Sequence, residues 1–241
     1  MSSCPDPAAA PAPTHARTAD PNVGGPYRPP AGDPVLLHLD AQLVIADKPA
    51  GLLSVPGRGD AKADCLASRV AARVPDALVV HRLDMGTSGL IVLARGALMQ
   101  QQLSMAFERR RVHKHYEALV TGLPEADAGE IDLPLLVDWP NRPRQAVNPT
   151  QGKPSLTRWQ VIDRDAQRGI SRLRLEPVTG RSHQLRVHLA AIGHAILGDE
   201  LYAPAAVHAA APRLLLHACA LALPAVGTMP APVSITSPAP F

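Results

Sequence analysis

The stretch HRLDMGTSGLIVLAR, residues 81–95, decides how the rest of the chain is read. Leu90 to Ala94 is a short apolar run of the kind that forms a buried strand. Just ahead of it stand His81, Arg82 and Asp84, followed by the turn formers Gly86-Thr87-Ser88-Gly89. A strand entering a core has no need of three ionisable groups at its mouth. Taken alone, the stretch leaves two readings open: a solvated turn, or a loop that holds Asp84 for chemistry.

The chain has 241 residues, enough for one large domain or two small ones with a sizeable core. Its most apolar stretch, LLLHACALALPAV (214–226), is interrupted by His217 and Pro224 and is too short to span a bilayer. The first twenty residues lack the basic start and apolar centre of a secretory signal. Cys4, Cys65 and Cys219 are odd in number and far apart, which suits a reducing compartment and offers no disulfide framework or zinc spacing. A cytoplasmic protein is expected. The net charge is +3, and 20 of the 24 basic residues are arginine, the side chain better suited to phosphate forks and base stacking. A GC-rich coding sequence accounts for that bias as a whole. Local clusters are a separate matter.

Residues 1–34 hold nine of the 26 prolines and little that is apolar. They carry Asp6, Asp20 and Asp33 against Arg17 and Arg28, so the positive balance lies in the remainder. Such a segment cannot bury enough surface to offset its ordering entropy, so a disordered extension is expected, dispensable for stability and activity. Residues 35–241 then form one domain. VLLHL and QLVIADK read as paired strands, and Asp60 as the cap of a helix over 62–74. LVVHRLD and GLIVLA read as strands around the Gly-Thr-Ser-Gly turn, ALMQQQLSMAFERR as a helix and KHYEALVTG as the next strand. LTRWQVIDRD and ISRLRLEPV alternate like a strand pair. HQLRVHLAAIG reads as a helix with Leu185, Leu189 and Ile192 inward and Gly193 as its stop, and RLLLHACALAL as a late strand. The pattern is α+β, with a mixed, largely antiparallel central sheet flanked by helices and loops.

Three polar constellations fall at element ends: His81 to Asp84, the run FERRRVHKHYEALV (107–120) and TGRSHQLR (179–186). Each has an ordinary explanation, such as Arg109 to Arg111 complementing a helix dipole. Ser88 or Ser182 with His81 or His183 could be assembled into a hydrolase triad, but no G-x-S-x-G elbow supports one. His113-x-His115 lacks any further metal-ligand signature. There is no Walker loop and no G-x-G-x-x-G, so neither metal nor nucleotide cofactor is expected. Arg58-Gly59-Asp60 is a chance tripeptide.

Together the blocks say more. HRLDMGTSGLIVLAR resembles the signature of the RluA family of RNA pseudouridine synthases. ADKPAGLLSVPGR (46–58), KHYEALV (114–120), TGRSHQLRVHLAAIGHAILGD (179–199) and RLLLHA (213–218) resemble its other blocks, in order. SVPGR, HRLDMGTSG and LPLLVDWPNRPRQ (133–145) are similar to the RluA subgroup, which has no separate N-terminal RNA-binding domain. Ala195 departs from the usual proline, and the ending SITSPAPF from the usual acidic-aromatic one. The resemblance implies a pseudouridine synthase fold over 35–241. It places Asp84 at the catalytic aspartate, Tyr116 at the tyrosine that packs on the target base and Arg181 at the arginine that pairs with the aspartate. Arg82 matches the arginine that enters the RNA stack where the base leaves. His81, Lys114, Arg142, Arg144, His183 and Arg186 are expected to join it in binding RNA.

The chemistry suits these types. Pseudouridine forms when the N1 bond to the ribose breaks and a C5 bond replaces it. A carboxylate can act as nucleophile, or can deprotonate the sugar as the base detaches. In a water-poor pocket it needs a cation nearby. Turning the base out costs ~a few kcal/mol of unstacking, which a plugging arginine and a stacking tyrosine can offset. The implied substrates are the tRNA anticodon stem-loop, at its first loop nucleotide, and a 23S rRNA hairpin of similar loop sequence, acted on by a monomer with no obligate protein partner. Two other readings are the same chemistry on a different rRNA or tRNA uridine, and a catalytically silent RNA-binding factor. The set Asp84, Tyr116 and Arg181 argues against the last.

Overall fold

From Val35 the chain makes a hairpin of β1 (Val35–Leu39) and β2 (Leu43–Lys48). Asp40 sets the turn: its Oδ1 accepts from the amides of Gln42 (2.7 Å) and Leu43 (2.8 Å), the local bonding that makes aspartate a turn former. Helix α1 (Leu66–Ala71), strands β3 (Ala77–Val79) and β4 (Ser88–Arg95) and helix α2 (Gly96–Glu108) follow. Next come β5 (His113–Thr121), β6 (Ala128–Asp132) and a separate small pair, β7 (Leu135–Val137) with β8 (Gln145–Val147). The chain ends with β9 (Leu156–Asp165), β10 (Ile170–Pro177), α3 (Gln184–Ala191), α4 (Ala205–Ala209), β11 (Leu216–Leu223) and β12 (Val233–Thr236). The structure is a computed structural model and describes residues 26–227, 229 and 231–241.

The large sheet runs β1-β2-β4-β11-β5-β10-β9-β6, with β3 on β4 and β12 on β11. Strands β2 and β4 are near-continuous apolar runs because both their faces are covered. Leu43, Ile45, Leu90 and Val92 meet Met99 and Leu103 of α2 on one side. Val44, Ala46, Ile91 and Leu93 meet Leu66 and Val70 of α1 on the other. A third cluster sets Ala118, Val120, Leu173 and Leu175 against Leu185 and Leu189 of α3. The α+β expectation holds. Among the described residues no helix is long and apolar enough to cross a membrane.

The centre of the sheet is a narrow seam. Strand β11 meets β4 at only two pairs, His217 with Ser88 and Ala218 with Gly89, the one parallel contact among the described residues. Beyond it β12 takes the edge of β11 and β3 takes the edge of β4, so the sheet opens as a V. Gly89 is at the apex with φ +109°, and a Cβ there would lie 2.4 Å from the Ala218 carbonyl oxygen and 2.6 Å from its nitrogen. Only glycine allows that approach. A buried polar chain crosses the same place. Ser88 Oγ lies 2.9 Å from His217 Nδ1, His217 Nε2 is 3.3 Å from Ser237 Oγ, and that hydroxyl donates to Asp47 Oδ2 at 2.7 Å.

Several expectations need correction. Asp60 begins only a 3₁₀ turn (Asp60–Lys62); α1 starts after Cys65, whose Sγ accepts the Ser68 amide while Ser68 Oγ accepts that of Cys65. This reciprocal cap places the N-cap five residues beyond Asp60. Residues 81–84 are not strand, because Ser54 takes the place of a neighbouring strand: its Oγ accepts the Leu83 amide and donates to the Leu83 carbonyl. Ile192 lies past the end of α3 and is exposed. Part of the expected extension is docked. Tyr27 Oη donates to the Asp64 carbonyl and accepts the Leu53 amide, and the Arg69 guanidinium donates to the carbonyls of Pro30 and Gly32. The folded part therefore begins before Val35. The rest of the extension, 1–25, lies outside the described residues.

Candidate active site

Asp84 stands where the loop leaves the apex of the V, in a cleft of about 880 Å³. Its mounting is backbone-rigid. Leu83 beside it is buried in the core and bonded through both backbone polar groups to Ser54. The Met85 carbonyl accepts from the Gly51 amide and from Lys48 Nζ (3.1 Å), and the Thr87 amide closes a turn onto the Asp84 carbonyl. Lys48 is fully buried, and its ammonium also donates to the carbonyls of Pro49 and Leu52. Burial, partly opposed by the charge of Asp84, brings its pKa down to about 7.

The Asp84 side chain is a quarter exposed and faces one guanidinium and one imidazole at the start of α3. Arg186 Nη1 is 3.6 Å from Oδ2, and His183 Nε2 is 3.9 Å from Oδ1. Arg186 is itself buried and held by a two-pronged bond to Asp199, at 2.8 and 2.7 Å. Asp199 is oriented by the amides of Leu201 and Tyr202. Burial works against the charge on Arg186, but the hydrogen bonds and charge of Asp199, with the charge of Asp84, outweigh it and raise its pKa. Burial likewise pushes Asp199 up, and Arg186 with the two amides brings it below the usual carboxylate value. His183 has φ 56°, and its Nδ1 lies 2.6 Å from Tyr202 Oη. Burial lowers its pKa, with Asp84 opposing, so the ring is held neutral.

The arginine assigned to Asp84 by resemblance is thus displaced by the geometry. Arg181 is exposed, its amide donates to Gln184 Oε1, and its guanidinium lies 3.5 Å from the Pro154 carbonyl. It lines the cleft without pairing with Asp84; Arg186 makes that contact. The spacing of TGRSHQLR decides this, since positions 183 and 186 stand one turn apart at the start of α3.

Tyr116 lines the same cleft and bridges two core clusters, one from each side of the seam. Burial, reinforced by Asp84 and Cys219, raises its pKa and keeps the phenol neutral. Arg82 is exposed on the cleft wall, separated from Asp84 by the buried Leu83. Lys114 lines the cleft 5.9 Å from the Phe107 ring, its pKa lowered by burial. His81 is turned inward instead. Its Nε2 accepts the Val92 amide at 3.0 Å and its ring stacks on Phe107 at 4.5 Å. Burial, with the charge of Lys114, takes its pKa down to about 3, so it supports the wall as a neutral ring rather than meeting phosphate. Arg142 and Arg144 are exposed on the β7–β8 hairpin, whose Pro143 reaches the cleft. Of the arginine run, Arg110 lines the cleft, and with φ 56° it also ends α2 in the left-handed conformation. Lys48, Ser54, Asp199 and Tyr202 escaped the sequence reading. Their blocks were visible, but nothing in a sequence shows a lysine buried under a loop or a carboxylate behind an arginine.

The family model for RNA pseudouridylate synthases matches residues 42–191. A dual-specificity RNA pseudouridine synthase RluA of Vibrio cholerae is 49% identical over 197 residues, covering 81% of this chain and 79% of the relative. The protein of that name from Escherichia coli K12 is 47% identical over 194 residues, covering 80% and 88%. Among solved structures, human RNA pseudouridylate synthase domain containing 1 superposes with TM-score 0.72 at 28% identity, covering 89% of this chain and 87% of that one. Human domain containing 4 gives 0.66 at 25%, covering 85% and 88%. With an aspartate loop, a tyrosine and a buried arginine converging in one cleft, and with these matches across most of its length, the chain belongs to the RNA pseudouridylate synthase family and is an RNA pseudouridine synthase.

Proposed function

We propose that this synthase acts on two hairpins, the tRNA anticodon stem-loop at its first loop nucleotide and a 23S rRNA hairpin of similar loop sequence. The observation that carries the reading is the hairpin DWPNRPRQ beside the Asp84 cleft, together with the dual-specificity names of the V. cholerae and E. coli relatives. Asp84 is the catalytic carboxylate, acting on the ribose as the N1 bond breaks. Arg186 supplies the positive charge beside it, and Asp199 fixes Arg186. Tyr116 offers an aromatic face and a neutral hydroxyl, an uncharged surface on which the freed uracil turns to present C5. The new bond forms from C5 to the ribose, C5 loses its hydrogen, and N1 gains one. Arg82 fills the gap left in the stack. The balance involves no oxidant, reductant or phosphoryl transfer. The working enzyme is a cytoplasmic monomer.

Carbodiimide mapping of pseudouridine in tRNA and 23S rRNA from a strain lacking the gene tests the targets. Both positions should become unmodified, and wild-type protein should restore them. Asp84→Asn should restore neither while still binding the hairpins, because an amide keeps the shape but is neither nucleophile nor base. Persistence of both modifications in the deletion strain would refute the target assignment, and restoration by the asparagine variant would remove Asp84 from the mechanism.

A further inference from the structure

Trp139 is 65% exposed, the highest value among the described large hydrophobic side chains. It sits at the tip of the β7–β8 hairpin, in a 3₁₀ turn over Trp139–Asn141. An indole left in water at a loop tip has no account in the packing of this fold. The other tryptophan, Trp159, packs against a core cluster.

The tip is built, not loose. The Asp138 amide bonds to the Arg144 carbonyl, the Arg144 amide to the Asn141 carbonyl, and Asn141 Nδ2 to Asp138 Oδ2 at 2.6 Å. The root of the hairpin is locked by reciprocal backbone bonds between Leu135 and Lys153. The hairpin is also tied to the active site. The Gln145 amide donates to Tyr202 Oη, which bonds His183, which faces Asp84. Arg142 lies 4.5 Å from the Trp139 ring centroid, a guanidinium backing an aromatic plate. Arg144 stands two residues on, and Pro143 between them lines the cleft.

We infer that Trp139, backed by Arg142, is a stacking platform for a second unpaired nucleobase in the loop of the same RNA whose uridine enters the cleft. This rests on the hairpin targets proposed above. The chemistry favours a nucleic acid over a protein occupant. An apolar protein surface closing on Trp139 would strand the charges of Arg142 and Arg144, whereas a nucleotide brings a π-face for the indole and a phosphate for the guanidinium. Stacking on an aromatic plate tolerates any base, so Trp139 selects for a loop that can splay a nucleotide at that distance from the target, and not for one letter.

The test is binding of the anticodon stem-loop to wild type, Trp139→Ala and Trp139→Phe, read by equilibrium titration and single-turnover pseudouridine formation. A set of stem-loops, each with one non-target loop base replaced by an abasic nucleotide, completes it. Alanine should weaken binding by on the order of tenfold or more, with phenylalanine keeping most of the affinity. One abasic position should weaken wild-type binding by a similar factor and the alanine variant no further. Alanine binding within twofold of wild type overturns the inference and leaves the indole to a protein partner. So do losses that multiply at every abasic position. If wild type modifies neither this stem-loop nor the 23S hairpin, the target reading fails and takes the platform with it; modification that is independent of Trp139 refutes the platform alone.

Discussion

Arg186→Gln removes the charge 3.6 Å from Asp84 and leaves Asp199 without its two-pronged partner. At that distance a unit charge pair is worth about 1 kcal/mol in bulk water and about 5 kcal/mol at the effective dielectric of a partly buried site. Asp84 is a quarter exposed, so an intermediate value applies. If that interaction is fully used in the transition state, the single-turnover rate falls by about two orders of magnitude. Stability falls as well, because Asp199 is 1% exposed and becomes an uncompensated charge. Breaking such a pair from one side costs about 3–5 kcal/mol, or a melting point lower by about 6–20 °C for a chain of this size. Asp199→Asn in the same background should recover part of the stability and none of the rate. Tritium release from 5-labelled RNA, measured well below the melting point of each variant, separates the two effects. Arg181→Ala is the control and should keep most of its rate. The reasoning fails if Arg186→Gln turns over within twofold of wild type, or if Arg181→Ala loses as much as Arg186→Gln.

Arg82→Ala should slow single turnover on a closed hairpin far more than on an RNA whose target base is already unstacked, since the missing plug returns ~a few kcal/mol of unstacking to the first substrate alone; equal losses would rule the plug out. Deleting residues 1–33 should lower the melting point by several degrees, because the bonds of Tyr27 and the Arg69 contacts to Pro30 and Gly32 go with it, and Tyr27→Phe should reproduce part of the drop; an unchanged melting curve contradicts the docking. His81 is neutral when folded and takes up a proton near pH 6.5 when unfolded, its folded value being about 3. The unfolded state binds more protons between these values, so His81 costs stability as pH falls from 6.5 toward 3, by up to about 1.4 kcal/mol per pH unit. Melting curves of wild type and His81→Gln across that range should converge toward acid; parallel curves would show that the ring is not held neutral.

Much of this was legible because the signals are local. The doubly apolar runs of β2 and β4, the alternation of β9 and β10 and the glycine after α3 are written in consecutive residues. So was Asp84, through its motif. What could not be read depends on partners far along the chain. Arg181 and Arg186 share one short block, and only the carboxylate of Asp199, brought up by a later turn, shows which of them is buried and aimed. His81 looks like an RNA contact until the Val92 amide is seen to bond to it. The start of α1 went to Asp60 because aspartate is the commoner cap, whereas the reciprocal bonds of Cys65 and Ser68 prevail. Composition also set the extension too long, since a proline-rich segment needs only one tyrosine hydroxyl and two well-placed carbonyls to be tethered.

The two-pair seam between β4 and β11 has a consequence for how the protein breathes. Asp84 and Arg82 come from the flank that leads into β4, whereas Tyr116 comes from β5 and Arg186 from α3 on the other flank. Neither flank alone holds a complete set of reagents. Transient opening at the seam therefore disassembles the site and draws Ala218 and Leu221 of β11 away from the clusters they share with β2 and β4, and the amides of β11 beside β4 should exchange with deuterium faster than those at the centre of β2. An RNA hairpin lying across both flanks closes that opening by mass action, so substrate should slow exchange at the seam more than elsewhere in the sheet.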